Sequence, residues 1–313
     1  MLYLFLIFGL ALLAFGGDTL IKGAVGVANK LKISPLVVGI ILVGFGTSTP
    51  ELIASILAVF QTPPVPGIAV GNVIGSNICN VLLVLGVTAV IRPIQIEMKD
   101  YKRDAFFLIF STIVLGIATY FGALKRLGGV VFVAGLISYI CICYLGERNN
   151  KKAIREMEKE LSETADNKHS SLFWILVTIV GIIMTMYGAK LLVDSAVQLA
   201  RQWGISETII GLTVVAIGTS LPELASSIAA SVKKHNEVAY GNIVGSNIYN
   251  ALFILGVVAL LKPFDFPDDA EQSYIIMACV TLWLVCLGPF KRISRLTGLL
   301  FLLAYAGYIL CLM

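Results

Sequence analysis

The chain has 313 residues, of which 58% are hydrophobic and 13% are charged, and its formal net charge is +4. A mean hydropathy of +0.91 excludes a soluble globular domain and predicts a polytopic membrane protein. The basic residues are scattered over short loops, so nucleic-acid binding is disfavoured. Because a span needs about 20 apolar residues, the sequence predicts ten transmembrane helices. They lie at residues 2–27, 33–60, 67–90, 105–123, 128–145, 172–199, 205–231, 238–260, 273–289 and 296–312.

The second predicted span contains a polar break, Gly-Phe-Gly-Thr-Ser-Thr-Pro-Glu, from Gly44 to Glu51. Pro50 has no N–H and its ring clashes with the carbonyl of Gly46, so a helix through this stretch cannot stay regular. The break is expected to leave backbone carbonyls without helical partners at mid-span. Such groups are costly in hydrocarbon, so we expect the break to line a cavity or to bind a ligand.

The same stretch occurs again in the second half of the chain. Residues 205–227 repeat residues 33–55 without a gap, and both copies contain Gly-Thr-Ser-x-Pro-Glu. A second motif, Gly-Asn-x-x-Gly-Ser-Asn-Ile, occurs within 71–80 and again within 241–250. These polar motifs predict broken helices at the second, third, seventh and eighth spans.

An odd number of spans in each half gives the two halves opposite orientations in the membrane. The sequence therefore predicts an all-α protein built from two inverted-topology repeats of five helices. Such repeats are typical of transporters with a site at the pseudo-two-fold axis. The predicted units are a first repeat at 1–146 (motifs 44–55 and 71–80), a linker at 147–170 and a second repeat at 171–313 (motifs 216–227 and 241–250).

Basic residues are concentrated in the loops on one side of the predicted membrane. By the positive-inside rule both termini are extracellular and the charged central linker is cytoplasmic, which predicts a multi-pass cell-membrane protein. The basic residues of the cytoplasmic side include Lys30, Lys32, Arg92, Lys99, Lys102, Arg103, Lys233, Lys234, Lys291, Arg292 and Arg295, whereas the other side holds Lys125, Arg126, Arg201 and Lys262.

The first and sixth spans each carry a charged pair four residues apart. Asp18 and Lys22 correspond to Lys190 and Asp194, with the order of the charges reversed. We interpret both as ion pairs on one helix face, and a structural role is favoured over a place on an ion path.

The polar motifs place oxygen-bearing side chains four residues apart, hence on one helix face. Folding the repeats together would gather two carboxylates, several hydroxyls, two amides and the carbonyls freed at the breaks. All of these are hard oxygen ligands: calcium takes about six to eight of them, and sodium accepts similar donors in smaller number. The pairs are Thr47 and Glu51, Ser76 and Asn80, Thr219 and Glu223, and Ser246 and Asn250.

A purely structural interpretation is that Pro50 and Pro222 kink helices while the small residues pack. It does not explain Glu51 and Glu223, since an ionised residue at the centre of a span costs about 2.5 to 3.5 kcal/mol. An ion site is therefore favoured. For Asn72 and Asn242, packing and gating roles both stay open.

At these motifs the sequence resembles the calcium/cation antiporter superfamily, and most closely its prokaryotic sodium/calcium exchangers, over the whole chain. The resemblance implies a secondary antiporter and no enzyme, with Ca²⁺ and Na⁺ as transported ions and no cofactor. It also implies that the first and sixth helices slide against the rest. The implied ligands are Glu51 and Glu223, the side chains of Thr47, Ser48, Ser76, Asn80, Thr219, Ser220, Ser246 and Asn250, and the backbone carbonyls of Gly44, Thr47, Ala216 and Thr219.

The counter-ion is decided by two differences from related branches. Some relatives, including the potassium-dependent exchangers, carry Asp at the position of Asn250, so potassium cotransport is disfavoured. The Gly-Asn-x-x-Glu-His motif of the proton/calcium branch is not found, which favours sodium. A proton-driven calcium or cation exchanger is the alternative. The resemblance also implies exchange of about three sodium ions per calcium, which would move one net charge per cycle. Transport is then expected to be electrogenic, and the membrane potential would contribute about 2.3 kcal/mol per 100 mV.

Other classes of protein fit the sequence less well. An intramembrane enzyme is disfavoured because His169 and His235 both lie in loops, so the spans offer no histidine base. A passive channel is harder to exclude, but it would need no counter-ion. The expected partners are the two ions and the lipid bilayer, and no obligate protein partner is evident.

Overall fold

The structure is a computed structural model that describes residues 2–31, 35–96, 98–148, 170–203, 216–267 and 270–312. Within these ranges the chain is helical apart from turns and four two-residue strands. The helices are α1 (Leu2–Leu31), α2 (the consecutive segments Pro35–Val38, Gly39–Gly44 and Phe45–Thr47), α3 (Thr49–Phe60), α4 (Pro66–Ile91), α5 (Met98–Tyr120), α6 (Arg126–Arg148), α7 (Ser171–Gln202), α8 (Ala216–Gly218), α9 (Leu221–Val232), α10 (Asn236–Leu261), α11 (Ala270–Leu287), followed by a 3₁₀ turn at Gly288–Phe290, and α12 (Arg295–Leu312).

The helical prediction omitted two small strand pairs that join the halves of the chain. Antiparallel pairing links β1 (Ile94–Gln95) to β4 (Arg292–Ile293) and β2 (Ala123–Leu124) to β3 (Phe264–Asp265). Each pair combines one strand from either half of the sequence. The two pairs therefore tie the halves together at the ends of their helices.

Seven described helices are long and apolar enough to cross a membrane, and an eighth span results if Gly39–Thr47 and Thr49–Phe60 are taken together. The apolar part of α12, Arg295–Cys311, is shorter. The prediction of a multi-pass membrane protein is thus confirmed, whereas the count of ten spans stays a prediction. The start of the seventh predicted span, 204–215, and most of the predicted linker, 149–169, lie outside the described residues.

The predicted break in the second span lies at Ser48, where α2 ends and α3 begins at an angle of 45°. Pro50 falls in the first turn of α3, where a helix needs no N–H from it. In the second half, Thr219 and Ser220 form the turn between α8 and α9, and Pro222 again falls in the first turn. Proline and a following glutamate therefore produce the same local structure twice.

The prediction of breaks in the third and eighth spans is wrong. Helices α4 and α10 continue through π-helical segments, Asn80–Leu85 and Tyr249–Ile254. Neither polar motif contains a proline, so the helix can widen and keep its backbone groups hydrogen-bonded instead of breaking. Each π segment lies at the site asparagine, Asn80 in α4 and Asn250 in α10.

Helices α1 and α7 pack against each other in antiparallel orientation. A Cβ atom added at Gly16 would lie 2.6 Å from the backbone nitrogen of Thr185, and one at Gly23 would lie 2.5 Å from that of Thr178. Small residues thus let the two backbones approach closely. This is usual between membrane helices, because lipid provides no hydrophobic driving force for their association. The motif-bearing helices α4 and α10 are the most buried of the seven spans and form the centre of the protein.

Candidate cation-binding site

Two buried carboxylates lie in the first turns of α3 and α9. Glu51 is 1% exposed and Glu223 is 0% exposed, and their negative charges repel each other. Within the described part of the chain, both carboxylate oxygens of Glu51 and Oε2 of Glu223 have no hydrogen-bond partner. The positive end of each helix dipole favours negative charge at this position, but a buried carboxylate also needs a direct partner. A cation between the two would supply it.

Several other buried polar atoms without a hydrogen-bond partner belong to residues that the motifs predicted as ligands. Buried polar groups in proteins are normally hydrogen-bonded, so such a concentration marks a place where another group binds. The hydroxyl and amide oxygens among these atoms suit a hard cation such as Ca²⁺ or Na⁺. Among the described residues, the atoms are Ser220 Oγ, Ser246 Oγ, Asn80 Oδ1 and both side-chain polar atoms of Asn250.

The site is assembled from both halves of the chain. Ser48 Oγ, on the first half, donates to Glu223 Oε1 at 3.4 Å. Thr47 Oγ1 lies 3.4 Å from Asn242 Oδ1 and also donates to the carbonyl of Val43 at 3.1 Å. The two broken helices therefore meet at their breaks, as the sequence predicted.

Asn72 and Asn242, whose roles the sequence left open, hold the main chain of the two glutamates. Asn72 Nδ2 donates to the carbonyl of Glu51 at 3.3 Å, and Asn242 Nδ2 donates to that of Glu223 at 3.3 Å. Each also reaches a serine one turn further along, Ser55 in α3 or Ser227 in α9. Both asparagines therefore fix a broken helix against its motif-bearing neighbour, which is a positioning role.

The backbone carbonyl of Gly44, one of the ligands that the resemblance implies, is not freed by the break. Its oxygen accepts the N–H of Ser48 at 3.1 Å, because α2 stays helical as far as Thr47. A carbonyl oxygen has a second lone pair, so it can still face a cation. In the second half, Ala216 begins the short helix α8 and Thr219 lies in the turn that follows.

Corresponding residues of the two halves differ in exposure. Thr47 is fully buried, whereas Thr219 is partly exposed and lines a cavity of about 200 Å³. The cavity lies between α7 and the two helix breaks, and Thr219 is the predicted ligand that lines it. Its lining residues are Pro50, Met186, Ala189, Lys190, Val193, Asp194, Gly218, Thr219 and Pro222.

The motif asparagines Asn77 and Asn247 were not singled out by sequence reasoning. Both are buried, and Asn247 Oδ1 accepts a hydrogen bond from Asn80 Nδ2 at 3.0 Å. Asn247 therefore orients a predicted ligand. Their presence at the same position of both motifs was the one signal in the sequence that could have identified them.

The two predicted ion pairs on helix faces are confirmed. Lys22 lies 2.7 Å from Asp18 on α1, and Lys190 lies 2.9 Å from Asp194 on α7. The second pair lines the cavity beside the site.

A buried centre of carboxylate, hydroxyl and amide oxygens in a multi-pass helical protein is typical of membrane proteins that move ions. The sequence model of one family, the sodium/calcium exchanger proteins, matches residues 1–145 and 173–313. The chain therefore belongs to the sodium/calcium exchanger family, whose members are secondary transporters and not enzymes. The predicted resemblance to prokaryotic members of the calcium/cation antiporter superfamily is confirmed.

Individual relatives match along nearly the whole chain. CaxA, a proposed antiporter of Alkalimonas amylolytica, is 35% identical over 97% of this chain and 96% of its own length. The sodium/calcium exchanger MaX1 of Methanosarcina acetivorans is 31% identical over 99% of this chain and 98% of its own length. Among solved structures, the sodium-calcium exchanger NCX_Mj soaked with 10 mM Na⁺ matches with a TM-score of 0.82, 32% identity and full coverage of both chains.

Proposed function

We propose that this protein is an antiporter that exchanges Na⁺ for Ca²⁺ across the membrane by alternating access. The observation that carries the proposal is the pair of buried glutamates, Glu51 and Glu223, because three of their four carboxylate oxygens have no hydrogen-bond partner in the described chain. Support also comes from the relative MaX1 and the solved structure NCX_Mj, both of which are sodium/calcium exchangers.

Both ions are proposed to use one set of ligands. The two glutamates together neutralise one Ca²⁺, and sodium ions at overlapping positions neutralise the same charges. When the site is filled with either ion, the two carboxylates no longer bear an uncompensated negative charge in the low-dielectric centre of the protein. Only the filled site therefore permits the conformational switch. The proposed ligands are Glu51, Glu223, Thr47, Ser48, Ser76, Asn80, Thr219, Ser220, Ser246, Asn250 and the carbonyls of Gly44, Thr47, Ala216 and Thr219.

The proposed architecture is ten spans in two inverted repeats, residues 1–146 and 171–313, joined by a cytoplasmic linker at 147–170. The seven clear spans, the bent pair α2 and α3, α9 and the shorter α12 together would make ten. Helices with matching breaks and strands at matching positions support the repeat. We further propose that both termini are extracellular and that exchange is electrogenic.

The direct test is Ca²⁺ uptake into proteoliposomes whose internal solution is varied. Vesicles are loaded with Na⁺, with K⁺, or with choline at acid pH, and each load is measured with and without a clamped voltage. Uptake confined to Na⁺-loaded vesicles and increased by an inside-positive voltage is expected. Protein-free vesicles control for leakage.

Other results would reassign the function. Uptake into acid-loaded choline vesicles would identify a proton-driven exchanger, with Glu51 and Glu223 carrying protons. Uptake that needs no internal counter-ion would identify a channel. Either result overturns the sodium/calcium proposal.

A further inference from the structure

An ionic contact joins α1 to the end of α9. The ammonium group of Lys233, which follows α9, contacts the carboxylate of Asp18 and donates to the backbone carbonyl of the same residue at 3.2 Å. Asp18 also pairs with Lys22 on its own helix at 2.7 Å. The Lys233 side chain is 25% exposed, so this contact is shielded from solvent better than the pair within α1.

The two helices are in close contact beside this ion pair. A Cβ atom added at Gly17 would lie 2.9 Å from the carbonyl oxygen of Ala225 in α9. Helix α1 therefore lies directly on α9 here, two residues after Glu223.

The corresponding place in the other half of the chain is open. The repeat places Ala189 at the position of Gly17 and Ile53 at that of Ala225. Ile53 is 49% exposed, and Ala189 lines the cavity of about 200 Å³ beside the helix breaks. Helix α7 contacts α3 far less than α1 contacts α9. The corresponding helix pairs of the two repeats are therefore packed differently.

The contact of α1 with α9 and the cavity beside α7 lie at different levels along the α1–α7 helix pair. Because Gly16 faces Thr185 and Gly23 faces Thr178, Asp18 is level with about residue 183 of α7. Lys190, at the cavity, is then displaced by about 10 Å along the helix pair, at 1.5 Å per residue.

The repeat does not reproduce the ion pair at the open side. Asp18 corresponds to Lys190, and Lys233 corresponds to Gln61, which occupies the same position after α3 as Lys233 does after α9. If α7 moved onto α3 as α1 now lies on α9, Lys190 would meet an uncharged glutamine.

We propose that Lys233 and Asp18 form an ionic latch that holds α1 on α9, and that its absence from the other half biases the ion-free transporter toward the state open beside α7. The inference rests on the proposed alternating access. Lys233 thereby sets the resting balance of the two states without touching a transported ion. A partly exposed ion pair of this kind is expected to shift the balance roughly two- to fivefold.

Hydrogen–deuterium exchange of the purified, ion-free protein tests the latch without requiring transport. In Lys233→Gln, amides near Asp18 in α1 and in α9 should exchange about two- to fivefold faster, whereas those at the end of α3 should exchange more slowly. Lys233→Arg should behave as the parent. The matched control is Lys234→Gln, which removes the same charge from an exposed neighbour.

The converse variant adds a latch to the open side. Gln61→Glu would offer Lys190 a carboxylate and should protect the end of α3 and the facing part of α7 while loosening α1 on α9. Equal exchange in Lys233→Gln and Lys234→Gln, uniform acceleration throughout the protein, or no response to Gln61→Glu would each overturn the latch. None of these outcomes depends on which ions are exchanged, so failure of the sodium/calcium proposal is distinguished by the vesicle assay alone.

Discussion

Asn77 and Asn247 each donate a side-chain N–H to the backbone carbonyl of the other, at 3.2 and 3.3 Å. The two residues occupy the same position of the repeated motif, so this reciprocal contact joins α4 to α10 through equivalent atoms. Both are buried beside the predicted ligands. The centre of the protein is thus held by an exchange of hydrogen bonds between the repeats.

Removing either asparagine should have different consequences for ion binding. Asn247→Ala also deprives Asn80 of its acceptor, so we expect Ca²⁺ affinity to fall about fivefold to tenfold, as for one lost buried hydrogen bond of about 1 kcal/mol. Asn77→Ala leaves the Asn80 contact intact and should reduce thermal stability with little change in affinity. Calcium titration and thermal unfolding of both variants measure the two effects. Equal losses of affinity would contradict a separate role for Asn247.

The breaks at Pro50 and Pro222 and the importance of Glu51 and Glu223 were predictable because proline and intramembrane charge act locally. The continuity of α4 and α10 was not predictable, since a polar motif without proline can either break a helix or widen it into a π segment. The acceptors of Asn72, Asn242 and Asn247 and the contact of Lys233 with Asp18 depend on how distant helices pack.

Neutralising either central glutamate should abolish exchange. In Glu51→Gln or Glu223→Gln the site loses half of its formal charge, and we expect at least about a hundredfold weaker Ca²⁺ transport, corresponding to about 3 kcal/mol. The melting temperature of the ion-free variants should not fall, because each substitution removes a repulsion between buried carboxylates. The control is Glu271→Gln, at an exposed position in α11. Robust calcium transport by either central variant would contradict the shared-carboxylate mechanism.

Loss of the two positioning asparagines should destabilise the protein unequally. Asn242 is fully buried and donates to Glu223, Ser226 and Ser227, so Asn242→Ala should cost about 1–3 kcal/mol of unfolding free energy. Asn72 is only partly buried, and Asn72→Ala should cost about 0.5–1.5 kcal/mol. Chemical unfolding in detergent measures both. A larger loss for Asn72→Ala would show that the contacts of Asn242 are not the stronger ones.

Close packing of α1 on α7 should make small residues essential there. A Cβ atom at Gly188 would lie 2.6 Å from the backbone nitrogen of Leu13, so Gly188→Ala must separate the helices and should destabilise by about 1–3 kcal/mol. Gly307 in α12 has open space around an added Cβ, and Gly307→Ala should stabilise by about 0.5–1 kcal/mol. Thermal unfolding compares the two. Equal shifts would contradict direct backbone contact between α1 and α7.

The central claim is that one pair of carboxylates, Glu51 and Glu223, serves both ions, and competition binding tests it most directly. Ca²⁺ is titrated into the purified protein at increasing Na⁺ concentrations, with choline keeping the ionic strength constant. The proposed mechanism predicts that Na⁺ raises the apparent Kd for Ca²⁺ without reducing the number of sites, and that Glu51→Gln abolishes the binding. Calcium binding that is unchanged by Na⁺, or that survives in Glu51→Gln, would contradict it.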